Sequence, residues 1–227
     1  MNVTTRVVFE PAHIDGIVLR NRVIRSGTHE GLADPSGAPA EALENLYSKL
    51  AKGGAGAIIT GYAGVSQEGR SSLANMLMMH DDALIAAYRK LTDSIHRQDT
   101  PIIIQLAHCG RQTRSAVTGC LPVAPSPRKD RIFNEEVPHQ LSELEIEGII
   151  AAFVEAAGRS VKAGFDGLQL HLAHGYLLAQ FLSGHTNRRR DRWGGALENR
   201  FRIVSEIVRR IRLAHGDFPG ARQDQRL

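Results

Sequence analysis

Cysteine, aromatic residues and long apolar runs are all scarce in this 227-residue chain. Its two cysteines cannot build a disulfide scaffold, and they favour a reducing compartment. No stretch approaches the ~18 consecutive apolar residues that suggest a membrane-spanning helix. Polar side chains at Glu10, His13 and Asp15 interrupt the start of the chain, a pattern not typical of a signal peptide. We therefore expect a cytoplasmic protein with no membrane partner.

The chain also lacks a large excess of charge of one sign. Lys plus Arg number 28 against 24 Asp plus Glu, a formal net charge of +4, which is only mildly basic. One basic run, Arg188, Arg189, Arg190 and Arg192, leaves two interpretations open: a nucleic-acid contact, or a loop braced by contacts with carboxylates and backbone. We favour the brace, because the run has no interleaved aromatic residue apart from Trp193. No nucleic-acid partner is expected.

What the chain does contain is an alternation of short apolar runs with longer amphipathic segments. Strand-like runs fall at residues 23–25, 57–60, 101–106 and 167–171, and helical spacing of apolar residues follows each of them. The clearest helix follows Ser142, which forms a capping box with Glu145 before an apolar stripe that reaches Val161. This order predicts an α/β fold of four βα units with parallel strands.

Both ends of the chain depart from this alternation. Turn residues within residues 7–20 predict a hairpin that covers one end of a barrel. At the other end, residues 220–227 have no alternation and no β-branched residue, so they do not resemble a buried parallel strand. We expect one domain over residues 1–219, followed by an aberrant tail that results from a frameshift or truncation near Pro219.

Three polar or small-residue clusters lie at strand ends, where α/β folds place their sites. Ser26, Gly27 and Thr28 offer close backbone approach and hydroxyls, and Gly61 leaves room for a flat ligand. The amide of Gln105 complements an imide-like ring edge. Structural interpretations also remain open: a plain strand-to-loop turn for the first cluster, a tight turn at Gly61, and backbone hydrogen bonds for Gln105.

The densest cluster is His171, His174 and Tyr176 at the end of the fourth strand. Two imidazoles can donate to one ligand oxygen, and the phenol can supply a proton. A structural role for one histidine and a metal site that adds His108, Cys109 or His185 are the alternatives. We expect no metal, because no local carboxylate accompanies the pair and the spacing differs from the helical His-Glu-x-x-His motif.

Together these motifs resemble one family, the Old Yellow Enzyme family of FMN-dependent ene-reductases, also called NADH:flavin oxidoreductases. The resemblance covers almost the whole chain and is most specific between residues 164 and 204. The matching motifs are Phe9-Glu10-Pro11, Asn21-Arg22, His171-x-x-His174-Gly175-Tyr176, Gln180-Phe181-Leu182-Ser183, Asn187-Arg188-Arg189 and Asp191-x-x-Gly194-Gly195-x-x-Glu198-Asn199-Arg200. Gly184 and Trp193 depart from the family pattern, which typically has Pro and Tyr there.

The resemblance implies a fold, two cofactors and a reaction. The fold is the N-terminal part of a TIM (β/α)8 barrel, and the cofactors are FMN and NADH or NADPH. The substrate is a small α,β-unsaturated carbonyl compound, whose C=C bond is reduced. By resemblance, Ser26, Gly27, Thr28, Gly61 and Gln105 bind FMN, His171 and His174 hold the substrate carbonyl oxygen, and Tyr176 donates a proton to the α-carbon.

The resemblance also leaves roles unfilled. The residues that bind the FMN phosphate in the family lie in its second half, and none in this chain is assigned to them. The rival hypothesis is therefore a truncated, non-catalytic half-barrel remnant that binds little or no flavin. The sequence leaves homo-oligomerisation, the physiological substrate and the choice between NADH and NADPH open.

Overall fold

The computed structural model describes residues 7–130, 135–216 and 218. Its strands are, in chain order, β1 (Ala12–Ile14), β2 (Ile17–Leu19), β3 (Ile24–Arg25), β4 (Ala57–Gly64), β5 (Leu77–Met78), β6 (Ile102–Ala107), β7 (Val123–Ala124), β8 (His139–Gln140) and β9 (Gly167–Leu170). Its helices are α1 (Glu41–Lys52), α2 (Ile85–His96), α3 (Ser115–Thr118), α4 (Glu143–Lys162), α5 (Leu177–Leu182) and α6 (Leu197–His215).

A parallel sheet in the order β3-β4-β6-β9 organises the molecule, and β5 pairs with β4 beyond this path. Helices α1, α2 and α4 connect successive strands, and α6 follows β9. The four predicted βα units are therefore confirmed, in the order that a (β/α)8 barrel requires. Strand β4 is longer than predicted, since it runs on to Gly64 across a register irregularity between Ile59 and Tyr62.

Helix α4 begins as its sequence predicts. The Ser142 hydroxyl accepts from the Glu145 backbone N–H at 3.2 Å, and a Glu145 carboxylate oxygen accepts from the Ser142 N–H at 2.7 Å. The apolar side chains Ile146, Ile150 and Phe153 are fully buried. The end of the predicted stripe was wrong, because Val161 is 42% exposed in the last turn of the helix.

The N-terminal hairpin is present, with β1 and β2 antiparallel and joined at Asp15-Gly16. Both turn residues have positive φ, 45° and 89°, as a two-residue type I′ turn requires. Ile17 and Leu19 pack against Ala57, the first residue of β4. The hairpin therefore covers the N-terminal end of the strands, as predicted.

The two faces of the sheet are covered to different extents. Ile58 and Ile104 point into the main core and are fully buried, whereas their neighbours Ile59 and Ile103 are half-buried on the other face. Within the described residues, β3 and β9 each pair along one edge only. The strands thus form an open arc that corresponds to an incomplete barrel.

The predicted aberrant tail, residues 220–227, and Pro219 lie outside the described residues. No helix in the described part of the chain is long and apolar enough to cross a membrane.

Candidate active site

The clusters predicted from the sequence gather where the parallel strands end. Gly27, just after β3, lies against Gln105 of β6: a Cβ added at Gly27 would stand 2.7 Å from Gln105 Nε2. This amide nitrogen donates to Gln169 Oε1 of β9 at 2.6 Å, while the Gln105 backbone N–H donates to the Thr60 hydroxyl at 3.1 Å. The structure therefore gives the Gln105 amide nitrogen a side-chain partner, Gln169, where the structural interpretation predicted a backbone partner.

Gly61 lies in a different environment from the one predicted. A Cβ at Gly61 would stand 2.3 Å from Glu30 Oε2 and 2.7 Å from the Thr28 carbonyl oxygen. The position that a Cβ would take is therefore filled by the chain itself, which gives this glycine a packing reason. Contact between Gly61 and a flavin stays a prediction.

The Glu30 carboxylate that fills this space belongs to a buried network. It accepts from the Tyr47 hydroxyl at 2.9 Å and from Arg25 at 3.1 Å, and the Tyr47 oxygen accepts from the Gly61 N–H at 3.0 Å. Burial raises the pKa of Glu30 above its usual value. Sequence analysis missed this network, because nothing in the spacing of Arg25, Glu30 and Tyr47 shows that they meet behind Gly61.

Arg25 also holds the segment after β3. Its guanidinium donates to the Thr28 hydroxyl oxygen at 2.6 Å and to the Ser26 carbonyl oxygen. The side chains of Ser26 and Thr28 are exposed. The Thr28 hydroxyl in turn donates to the Ser26 carbonyl oxygen at 3.3 Å, so both of these contacts hold the segment in place.

His171 and His174 lie side by side, as predicted. His171 continues the ladder beyond β9, since its N–H donates to the Leu106 carbonyl oxygen at 2.9 Å. His174 Nδ1 lies 3.1 Å from His171 Nε2. His174 adopts a φ of 56°, which is uncommon for a residue other than glycine and is frequent at functional sites. The contact leaves the other nitrogen of each ring for a ligand.

Tyr176 completes an aromatic cluster whose centre is Tyr62. The Tyr62 ring stacks on His171 with centroids 5.8 Å apart and on His29 at 5.1 Å. Tyr176 meets Tyr62 edge-on at 5.3 Å and His171 at 5.1 Å. Sequence analysis missed Tyr62 and His29. The available signal was a tyrosine directly after Gly61, near the carboxyl end of an apolar strand.

Burial sets the protonation state of this cluster. His171 is 5% exposed, and desolvation, with a smaller effect of neighbouring His174, lowers its pKa to about 4. Desolvation also raises the pKa of Tyr176. At neutral pH the imidazole is therefore uncharged and the phenol keeps its proton.

His108 and Cys109, two of the residues that a metal site would add to the pair, are buried. His108 Nδ1 accepts from the Gly110 N–H at 3.0 Å, and Cys109 is buried. Burial raises the pKa of the Cys109 thiol to about 12. Across residues 7–130, 135–216 and 218, no group of three or more His, Cys, Asp or Glu side chains could hold a metal ion.

The arginine-rich loop is braced by the contacts that we favoured. Arg189 is buried, pairs with Asp191 at 2.6 Å and donates to the Pro125 carbonyl oxygen at 3.1 Å. Arg192 pairs with Glu143 and Glu147, at 3.1 Å each. These contacts support a structural role for the loop, which connects α5 to α6.

Comparison with known proteins agrees with this geometry. The chain is 40% identical over 214 residues to an NADH oxidase from Thermoanaerobacter brockii, covering 93% of this chain and 33% of that protein. It is 35% identical over 209 residues to an NADPH dehydrogenase from Geobacillus thermodenitrificans, covering 91% of this chain and 59% of that protein.

Solved structures show the same relationship. An old yellow enzyme homologue from Zymomonas mobilis has a TM-score of 0.84 at 31% identity, over 93% of this chain and 61% of that chain. Morphinone reductase has a TM-score of 0.86 at 29% identity, over 94% of this chain and 62% of that chain.

The fold and its relatives are those of flavin-dependent oxidoreductases. The model of the NADH:flavin oxidoreductase / NADH oxidase family matches residues 7–218, and the chain belongs to that family. The predicted family and barrel class are confirmed, and FMN and NADH or NADPH are the family's cofactors. The chain spans from about a third to about three fifths of the length of these relatives.

The low pKa of His171 can be measured directly by following the imidazole carbon-bound protons of this chain by NMR as the pH is changed. The His171 midpoint is expected near 4, against ~6.5 for an unperturbed histidine. Because its folded pKa lies below its unfolded pKa, the stabilisation from neutral His171 is complete above pH ~6.5 and decreases as the pH falls towards 4. A His171 midpoint near 6.5 would contradict the burial described above.

Proposed function

We propose that the chain forms the substrate-facing part of an FMN-dependent oxidoreductase that takes hydride from NADH or NADPH and reduces the C=C bond of an α,β-unsaturated carbonyl compound. The observation that supports this most strongly is the His171, His174 and Tyr176 cluster, placed beside Gln105 at the ends of adjacent strands. Two imidazoles next to a protonated phenol suit a reaction that develops negative charge on one oxygen and needs a proton nearby.

The residues beside this cluster fit a flat heteroaromatic ring with a carbonyl and imide edge. Gly27 leaves a space that a Cβ would fill against Gln105, and the carboxamides of Gln105 and Gln169 offer both donors and acceptors. We assign Ser26, Gly27, Thr28 and Gln105 to the flavin ring. Gly61 belongs to the same site because its lack of a side chain leaves room for Glu30. When bound, FMN supplies the hydride-transfer chemistry.

The chain's own residues orient and polarise the substrate. His171 and His174 would hold the carbonyl oxygen. While a hydrogen bond joins two neutral rings, one of the two nitrogens that it leaves, His171 Nδ1 or His174 Nε2, carries the hydrogen that donates to this oxygen. Because His171 is neutral at physiological pH, it stabilises the oxygen by hydrogen bonding rather than by a full charge. Tyr176 holds its proton through burial and would release it to the α-carbon as negative charge develops there.

A second candidate is the non-catalytic half-barrel that binds little flavin. It is favoured by the open edges of β3 and β9 within the described sheet and by the half-buried face at Ile59 and Ile103. Unpaired strand edges promote association with other chains. The two candidates differ in flavin content, which can be measured.

We expect the 227-residue chain to be purified with little flavin, because no residue in it is assigned to the FMN phosphate. The measurement is the ratio of flavin absorbance to protein, followed by titration with FMN. A chain that continues through the rest of the barrel is expected to hold flavin at about one per protein. Near-equimolar flavin on the 227-residue chain would overturn the expectation for this chain.

The substrate-oxygen role of His174 is tested in that longer, flavin-bearing chain with His174→Ala. Loss of one hydrogen bond to a charge-bearing oxygen costs ~1–3 kcal/mol, so the dissociation constant of a phenol or cyclic enone should rise ~5- to 150-fold. The measurement is the ligand-induced change in flavin absorbance.

The matched control is His185→Ala, an exposed histidine on a nearby loop, which should leave the affinity unchanged. Unchanged ligand affinity in His174→Ala would count against its assignment.

Tyr176→Phe should slow substrate reduction by ~100-fold or more without slowing flavin reduction by NAD(P)H.

A further inference from the structure

A second cleft lies apart from the residues assigned to flavin and substrate. Its volume is about 680 Å³, within the range of small-molecule sites. It opens between the loop after β4, the β7 and β8 segments and the first half of α4. Its lining residues are Glu68, Cys120, Leu121, Val123, His139, Leu141, Glu145, Gly148 and Ile149.

The first observation that supports a binding site is Gly148, a glycine inside helix α4 that lines the cleft. Glycine inside a helix is less favourable than alanine, so it usually has a packing reason. Gly158 on the same helix has one, because a Cβ there would stand 2.8 Å from His215. A Cβ at Gly148 would meet no atom within 4 Å. Packing therefore explains Gly158 but not Gly148, and the space in front of Gly148 belongs to the cleft.

The charge of the lining indicates which ligands the cleft favours. Its walls are apolar at Leu121, Val123 and Ile149, and two carboxylates, Glu68 and Glu145, stand among them. The neighbouring His108 imidazole lowers the pKa of Glu68, and hydrogen bonds from Ser142 lower the pKa of Glu145 to about 2, so both carboxylates are ionised at neutral pH. Among the described lining residues there is no lysine or arginine.

Buried His108 leaves Glu68 able to accept a further donor. His108 is 1% exposed, and its Nδ1 accepts from the Gly110 N–H, so its Nε2 carries the hydrogen when the ring is neutral. Nε2 has no hydrogen-bond partner among the described residues and lies 3.8 Å from Glu68 Oε1, beyond hydrogen-bond length. Glu145, by contrast, already accepts from the Ser142 N–H and hydroxyl and contacts His139. The open acceptor of the cleft is therefore Glu68.

We propose that this cleft binds a small organic cation with an apolar body, of the arylalkylammonium class, with the ammonium group against Glu68 and the body along the apolar wall between Leu121 and Gly148. The site does not depend on bound flavin, since none of its lining residues is assigned to the cofactor.

Two probes of equal shape and opposite charge test the proposal on the 227-residue chain: 4-phenylbutylammonium and 4-phenylbutanoate. Binding is followed through amide chemical shifts by NMR at low salt, with the Gly148 amide as reporter. The ammonium probe is expected to bind with a dissociation constant on the order of 0.1–1 mM and to shift the Gly148 amide. The carboxylate probe should bind at least ~5-fold more weakly.

Two variants with matched controls on the chain locate the site. Gly148→Leu should abolish saturable binding of the ammonium probe, because the new side chain fills the cleft without meeting another atom at its Cβ. Leu144→Ala, which removes an exposed side chain of the same helix outside the lining, should not change it. Glu68→Gln should raise the dissociation constant of the ammonium probe ~3-fold or more. Glu155→Gln, on the same helix α4 as Gly148, should leave it unchanged.

Equal affinity for the two probes would overturn the proposal, and this comparison needs no variant. Full binding by Gly148→Leu, or amide shifts confined to residues outside the lining, would overturn it as well.

Discussion

The parallel register of β4, β6 and β9 is the constraint on which the site depends. It sets Tyr62 opposite Gln105 and Gln105 opposite Gln169, and it continues into the bond from the His171 N–H to Leu106. The irregularity between Ile59 and Tyr62 matters here, because a shift of one residue in a strand moves each side chain to the other face. Without that irregularity, Tyr62 would not stand between the two histidines that it stacks on. The chemistry of the site is thus a consequence of main-chain pairing.

Burial then sets the protonation states of two groups in this arrangement, His171 and Tyr176. The same desolvation that keeps His171 neutral keeps the Tyr176 proton in place. Next to the segment after β3, the Glu30 carboxylate accepts hydrogen bonds from Arg25 and Tyr47. The same Arg25 guanidinium also donates to the Thr28 hydroxyl oxygen. The chain therefore holds polar side chains on both sides of Gly27, the position that we propose for the flavin ring.

Regular periodicity accounts for what the sequence could predict. Helical spacing and the capping box at Ser142 located α4, and the Asp15-Gly16 turn located the hairpin. Side chains that meet only through the irregularity in β4 or through long-range contacts could not be found this way: Tyr62, Glu30 and Arg25 carry no local pattern that marks their neighbours. Val161 continued the helical period, yet periodicity cannot show where a helix projects beyond the elements that cover it. The sequence indicated that Gly61 must be small, but it could not show that the side chain of Glu30, from a different loop, occupies the space beside it.

The most direct measurement of the central constraint is a set of ¹H–¹H NOEs in the isolated chain. Cross-peaks are expected from the ring protons of Tyr176 to those of both Tyr62 and His171, whose centroids lie 5.3 and 5.1 Å away. If these cross-peaks were absent while those across the β1–β2 hairpin were present, the chain would be folded without the register that assembles the site, and the arrangement described here would be contradicted.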